Sequence, residues 1–249
     1  MQRHVKGGDT VNIYSTPDIR TILAPTEYVG RGIIIGTSAD GNSAVCAYFI
    51  MGRSENSRNR IFSEDGSRVY TEAFEPEKLK DPSLIIYNAV LEHDGRLIVT
   101  NGDQTDTVKD GLEKGLSFSE ALESRAFEPD GPNFTPRISG ILDLRGGYRY
   151  EMSILKSVDE EGSDCARYTF SYPSKPGLGH FIHTYVDNGE PLPTFQGEPE
   201  RVMIPSGIDE FTSEVWNSLN EANRISLYVR YTSLTDGTFT RRLINKNTR

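Results

Sequence analysis

Apolar positions along the chain fall in short runs broken by glycine, asparagine and aspartate, a spacing typical of β-hairpins rather than long helices. Gly32 to Thr37 and Ser43 to Met51 are β-rich and flank Ser38-Ala39-Asp40-Gly41-Asn42, whose Asp-Gly step favours a tight turn. A hairpin is predicted there. A second is predicted from Leu84 to Leu91 and Arg96 to Thr100 around His93-Asp94-Gly95, preceded by a strand from Val69 to Phe74. Between Gln104 and Phe127 the period lengthens. Val108, Leu112, Leu116, Ala121 and Leu122 recur at helical spacing, and Ser117 with Glu120 forms a capping-box signature, so two short helices are expected. Strands return at Ile138 to Asp143, Tyr148 to Lys156, Ala166 to Tyr172 and near Phe181 to Val186. Asp209 is expected to cap a helix whose Phe211, Val215, Leu219 and Ala222 share a face. A last hairpin, Ser226 to Leu234 and Thr238 to Leu243, turns at Asp236-Gly237. The pattern predicts an antiparallel α+β fold with helices inserted in pairs. Glycine and proline are scattered rather than gathered in a linker, which favours one domain over residues 1-249.

Composition narrows the classes. The 249 residues are 36% hydrophobic with mean hydropathy -0.49, and no apolar run approaches the roughly 20 residues of a spanning helix. No membrane association is expected. Twenty-seven Lys and Arg against 36 Asp and Glu give a net charge of -9, which argues against a nucleic-acid binder that works by phosphate neutralisation. A local anion site is still compatible with that balance. Cys46 and Cys165 are expected to be buried small hydrophobes. Met1 to Thr10 carries Arg3 and Lys6 but no apolar run behind them, so no secretory signal is read and a reducing, cytoplasmic location is expected. A homo-oligomer is compatible with the sequence, which does not fix the state.

Four segments carry candidate chemistry. Gly52-Arg53-Ser54-Glu55-Asn56-Ser57-Arg58-Asn59-Arg60 follows a strand and places three guanidiniums within eight residues. Arginine forks bind phosphate or carboxylate bidentately, so this cluster reads either as an anion pocket or as a solvated charged loop. Tyr87-Asn88 and Thr100-Asn101-Gly102-Asp103 lead toward a helix start, where either anion binding or plain capping is served. Glu128 to Arg137 is stiffened by three prolines and can hold Asn133 and Arg137 in fixed poses. The glycine-rich stretch Tyr172 to Tyr185 holds two of the four histidines, His180 and His183, and reads as a lid or substrate loop rather than a metal site. The common nucleotide-fold and nucleophile signatures are absent, and no metal or other cofactor is expected.

In order along the chain, Tyr28-Val29-Gly30-Arg31-Gly32, the Tyr48 to Arg60 segment, Tyr87-Asn88, Asn101-Gly102 with Thr105-Asp106, and Asn133 to Ile138 resemble the IMP cyclohydrolases of the archaeal type and their bacterial relatives. The resemblance covers roughly residues 28 to 140. It departs from the archaeal pattern in an extra N-terminal segment, an added Phe134 in the Asn, Thr-Pro-Arg string, and a longer second half. It implies a four-layer αββα sandwich of antiparallel sheets, N-terminal-nucleophile hydrolase-like but without self-processing, since Met1-Gln2 precede the fold and no nucleophile opens the first strand.

The implied reaction closes the purine ring of 5-formamidoimidazole-4-carboxamide ribonucleotide to give IMP, so the implied partner is a purine nucleotide. The resemblance suggests catalytic roles for Arg60, Tyr87, Asn133 and Arg137. Substrate binding would fall to Arg31, Arg53, Arg58, Asn59, Asn88, Asn101, Gly102 and Thr135. Two rival readings predict other outcomes: a cyclase or amide hydrolase for another nucleotide would bind nucleotides without forming IMP, and a nucleotide-sensing protein would tolerate loss of Tyr87 and Asn133.

Overall fold

Each predicted hairpin pairs, and the pairing extends into two antiparallel sheets. The computed structural model describes residues 12–79, 82 and 84–248, so the expectations on Met1 to Thr10 lie outside the described residues. The chain runs α1 (Ile19–Leu23), β1 (Arg31–Thr37), β2 (Ser43–Met51), α2 (Glu55–Arg58), β3 (Arg60–Asp65) and β4 (Arg68–Ala73). It continues through β5 (Asn88–His93), β6 (Arg96–Thr100), α3 (Gln104–Glu113), α4 (Phe118–Leu122), β7 (Arg137–Asp143), β8 (Arg149–Ser157) and β9 (Cys165–Pro173). It closes with β10 (Leu178–His183), β11 (Glu200–Met203), α5 (Ile208–Ser218), β12 (Arg224–Ser233) and β13 (Phe239–Asn245). One sheet has six strands in the order β11-β10-β1-β2-β12-β13; the other has seven and follows the chain from β3 to β9.

The central strands read as unbroken apolar runs because both their faces are buried. In β1, Ile33 and Ile35 enter the core between the sheets, while Ile34 faces the opposite way with Ile19, Leu23, Phe211 and Val215 of α1 and α5. In β2, Cys46, Tyr48 and Ile50 join the inter-sheet core, and Val45, Ala47 and Phe49 join the helix side. The second sheet repeats the arrangement, with Leu97 and Val99 facing inward and Ile98 and Ile141 packed on Val108, Phe118 and Leu122 of α3 and α4. Each fully buried Ile, Leu or Phe contributes on the order of 1.5–3 kcal/mol, so these faces dominate the stabilisation of the fold. Among the described residues no helix is long and apolar enough to cross a membrane.

The capping box at Ser117 forms as the sequence indicates, with the Ser117 amide donating to Glu120 Oε2 at 2.8 Å. Other expectations are corrected. Leu84 to Tyr87 precede β5 rather than belonging to it. Gly207, not Asp209, occupies the position before α5, and the Asp209 carboxylate instead accepts from Arg242 Nε at 2.6 Å. Cys46 is buried and its thiol is pushed up to about 12 by burial, whereas Cys165 is only half-buried on the outermost strand β9. The strand expected near Phe181 forms as β10 but starts earlier, at Leu178, within the stretch also read as a lid or substrate loop, and it is buried along its length between β1 and β11. Its glycine serves close packing: a Cβ on Gly36 of β1 would stand 2.5 Å from the Gly179 Cα.

His180 sits inside this core edge, with its Nδ1 2.7 Å from the Tyr150 hydroxyl. Burial, aided by the Arg201 charge, holds the imidazole down at about 4. The unfolded chain therefore takes up a proton near its ordinary value of 6.5 that the folded chain refuses until about 4. Stability contributed by His180 is present above pH 6.5 and is lost as pH falls through that window. Denaturant midpoints measured from pH 7 to pH 4 should fall more steeply for the wild type than for His180→Gln; parallel curves would show that the ring is not buried neutral.

Candidate active site

Strand ends and the loops that follow them converge on one cavity of about 290 Å³. Its walls come from chain segments far apart in sequence: Tyr28 and Arg31, Arg53 to Arg60, Leu84 and Ile85, Glu128 to Thr135, and Tyr185 with Leu192. Arg31 opens β1, directly after Gly30, whose φ of +75° and tight approach to Thr184 and Tyr185 leave no room for a side chain. Arg60 opens β3, and the single turn α2 that leads into it is capped by Ser54 and Ser57. The arginine cluster is thus built on a capped helical turn between two strands, with Arg58 exposed and Arg60 buried.

The three guanidiniums at the cavity have different partners. Arg31 Nη2 donates to both carboxylate oxygens of Glu128 at 3.2 Å, and both side chains are almost wholly buried. Burial raises the Glu128 carboxyl above the usual carboxylate range, with Arg31 and Arg137 pulling the other way. Burial works against the Arg31 cation too, but Glu128 beside it holds it well above its ordinary value. Arg53 Nη1 donates to Asn188 Oδ1 at 2.6 Å and to the Gly189 carbonyl at 3.0 Å, and its guanidinium stands 5.3 Å from the Tyr28 ring centre. Arg60 is 2% exposed and donates only to the Ser57 and Met51 carbonyls, with no ion pair among the described residues. Desolvation lowers its pKa.

Two buried donors at this cavity, Arg31 Nε and Arg60 Nη1, have no hydrogen-bond partner among the described residues, and neither has the acceptor Asn56 Oδ1. A buried guanidinium N–H left unpaired is costly, so the two donors mark a place for acceptor atoms of a polar ligand, and the orphaned Asn56 oxygen a place for one of its donors. Below them Tyr48 and Tyr87 share a hydrogen bond of 2.7 Å between hydroxyls, and Tyr87 lies within electrostatic reach of Arg31 and Arg60. On the other wall the Thr135 hydroxyl bridges Asp130 and the Tyr185 hydroxyl, and Asn133 Oδ1 accepts from the Leu192 amide at 3.0 Å.

Of the residues singled out in the sequence, Arg31, Arg53, Arg60, Asn133 and Thr135 therefore line the cavity, with Tyr87 behind it. Arg137 is turned to Asp103 and Gln104, at 2.7 Å each, though its charge reaches Glu128. Arg58, Asn59, Asn88, Asn101 and Gly102 lie outside the lining. Arg58 bonds the Gly52 carbonyl and Asn223, Asn59 clamps the backbone of Glu75 through both its amide groups, and Asn88 donates to Asp106. Asn101 is fully buried and ties Pro136 to Ile138 and Gln104, while a Cβ on Gly102 would collide with Arg137 and Gln104. Sequence reasoning passed over Glu128, Tyr185, Tyr28 and Asn56. A lone glutamate before a proline carries no local sign that it will be buried; its only signal was membership of the proline-stiffened segment.

Phe134 has a specific place. It adopts φ of +42°, and its ring meets Phe127 edge-on at 5.4 Å and stands where Gly162 has no side chain. Its ring pins the Asn133 loop to the turn between β8 and β9.

Two antiparallel sheets flanked by helices, with arginines converging on a polar cavity, define an α+β protein with a candidate small-molecule site. The chain matches the family described as IMP cyclohydrolase-like protein over residues 28–237 and belongs to it. It is 30% identical over 167 residues to a protein of Methanosphaera stadtmanae named IMP cyclohydrolase, covering 65% of this chain and 75% of that one. A protein of Methanopyrus kandleri with the same name is 36% identical over 164 residues, covering 61% and 81%.

Proposed function

We propose that the chain is an IMP cyclohydrolase acting in purine biosynthesis, and that the arginine-lined cavity is its active site. The observation that carries the reading is the pair of orphaned guanidinium donors, Arg31 Nε and Arg60 Nη1, beside the buried Glu128, in a member of this family. The helix, sheet, sheet, helix packing supports the finer fold reading, a four-layer αββα sandwich of the N-terminal-nucleophile hydrolase type formed by one domain. A cytoplasmic setting suits this chemistry.

The reaction needs no external nucleophile. The carboxamide nitrogen of the formamido ribonucleotide attacks its own formyl carbon, and the formyl oxygen departs as water with one hydrogen from each of the two nitrogens. The enzyme's task is to hold the two groups at near-attack distance, stabilise the oxyanion and move protons. In our reading Arg60 Nη1 donates to the formyl oxygen as charge develops there, and low dielectric around this cation strengthens the effect. Tyr87, backed by Tyr48, relays a proton. Asn133 orients the carboxamide, and Glu128 fixes the Arg31 fork so that its free Nε faces substrate. Arg53 and Thr135 hold phosphate or ribose. Arg58, Asn59, Asn88, Asn101, Gly102 and Arg137 would act by holding the walls in place rather than by touching the nucleotide.

A spectrophotometric assay of IMP formation from the formamido ribonucleotide, run without added metal, tests the reading. Formation of IMP supports it; a folded protein that binds IMP but forms none would move the chain to a different chemistry. Tyr87→Phe should slow turnover by roughly 100-fold if the hydroxyl relays a proton, with little change in KM. A near-normal rate would remove Tyr87 from the mechanism.

A further inference from the structure

A second cavity, of about 450 Å³, opens where the β10 and β11 edge of the six-stranded sheet faces β9 of the other. It lies apart from the arginine-lined site, and the two linings share no residue. His180 and Arg201 sit opposite each other on paired strands β10 and β11 and both line it. His180 is 3% exposed, and while its Nδ1 is engaged by Tyr150, its Nε2 has no hydrogen-bond partner among the described residues. The Tyr172 ring lies flat on the imidazole, with centres 3.6 Å apart and planes 13° from parallel. Arg201 makes no ion pair among the described residues, its buried Nε is unpartnered, and its charge reaches His180, Tyr150 and Tyr172. Tyr14 stands 6.0 Å from that guanidinium, and Lys175 on the preceding loop adds a second cation against the single lining carboxylate, Glu198.

These features have no role in the cyclisation and form a coherent set. A buried strand pair does not leave a guanidinium donor such as Arg201 Nε unsatisfied at an opening without cost. The volume suits a nucleoside-sized molecule, the stacked rings give a flat apolar wall, and the two cations give a positive end. We propose that this cavity is a second ligand site, for a planar aromatic or heteroaromatic anion, with the ring against Tyr172 and Tyr14 and the anionic group on Arg201 and Lys175. His180 Nε2 reads a polar edge of the ring.

Phenyl phosphate is the probe, and the ring signals of His180 in a proton–carbon correlation spectrum of the full chain, assigned by their loss in His180→Gln, are the reporter. The arginine-lined site binds phosphates as well, but occupancy there does not touch His180. Saturable shifts of the His180 signals with phenyl phosphate are expected, with inorganic phosphate needing about tenfold more ligand for half the effect because it lacks the ring. Arg201→Gln should raise the half-saturating concentration about tenfold, and Arg60→Gln should leave it unchanged. Should Arg201→Gln not fold, the exposed Lys175→Gln serves, with a smaller rise in the same direction. His180 signals unmoved by millimolar phenyl phosphate in the wild type, moved equally by inorganic phosphate, or insensitive to both substitutions would overturn the proposal.

Discussion

Arg60→Ala should lower the rate of IMP formation by at least roughly 100-fold while leaving the protein folded. The guanidinium is held by two backbone carbonyls, those of Ser57 and Met51, and carries no carboxylate that its removal would strand. What disappears is the unpartnered Nη1 donor, buried at the cavity. A donor fixed before the reaction and aimed at developing charge has no reorganisation to undergo, which is why losing one costs so much in the transition state and less in the ground state. Turnover and KM measured together separate the roles: a loss in turnover places Arg60 on the reacting oxygen, whereas unchanged turnover with a raised KM assigns it to the phosphate. Arg60→Lys should recover little, since a point charge on a flexible stem cannot keep both carbonyl contacts and the free donor.

The second large effect concerns stability. Glu128→Ala should destabilise the fold by about 3–5 kcal/mol, because it leaves the buried Arg31 cation without its counter-charge. Both side chains are hidden from solvent, and the guanidinium meets both carboxylate oxygens. Replacing both partners, Arg31→Met with Glu128→Leu, should restore much of the lost stability without restoring activity, since two apolar side chains remove the desolvation cost of both charges. Chemical denaturation of the three proteins checks this. A single variant that lost less than 1 kcal/mol would mean that water reaches Arg31 and that the pair is not a buried one.

The folding pattern was legible wherever apolar alternation or continuous burial wrote it locally. The hairpins β1 with β2 and β12 with β13 could be read to within about two residues, and the presence of two short helices between Gln104 and Phe127 could be read too, because Asp-Gly turns and the Ser117 capping box are short-range signals. What was hidden was tertiary. Gly177 to His183 looks like a loop by composition, yet Gly179 is there so that β10 can lie close against β1, a fact that only the partner strand reveals. The same limit applied to the site. Three closely spaced arginines left an anion pocket and a solvated loop equally open, Asn133 was drawn in by its stiffened loop, and Thr135 by family resemblance alone. The amides of Asn59, Asn88 and Asn101 look equally suited to a ligand in sequence, but the fold gives them backbone and side-chain partners of their own. Glu128 was the reverse case, a residue of ordinary appearance that becomes decisive once Arg31, some hundred positions away, is buried beside it.

The cavity wall is assembled from pieces between Tyr28 and Leu192 that belong to both sheets and the connections between them. No excised peptide or transplanted loop can carry the site, because every such fragment lacks most of the wall. Changing what the protein accepts is therefore a matter of altering single side chains in place. The neighbouring segments are already committed to strands.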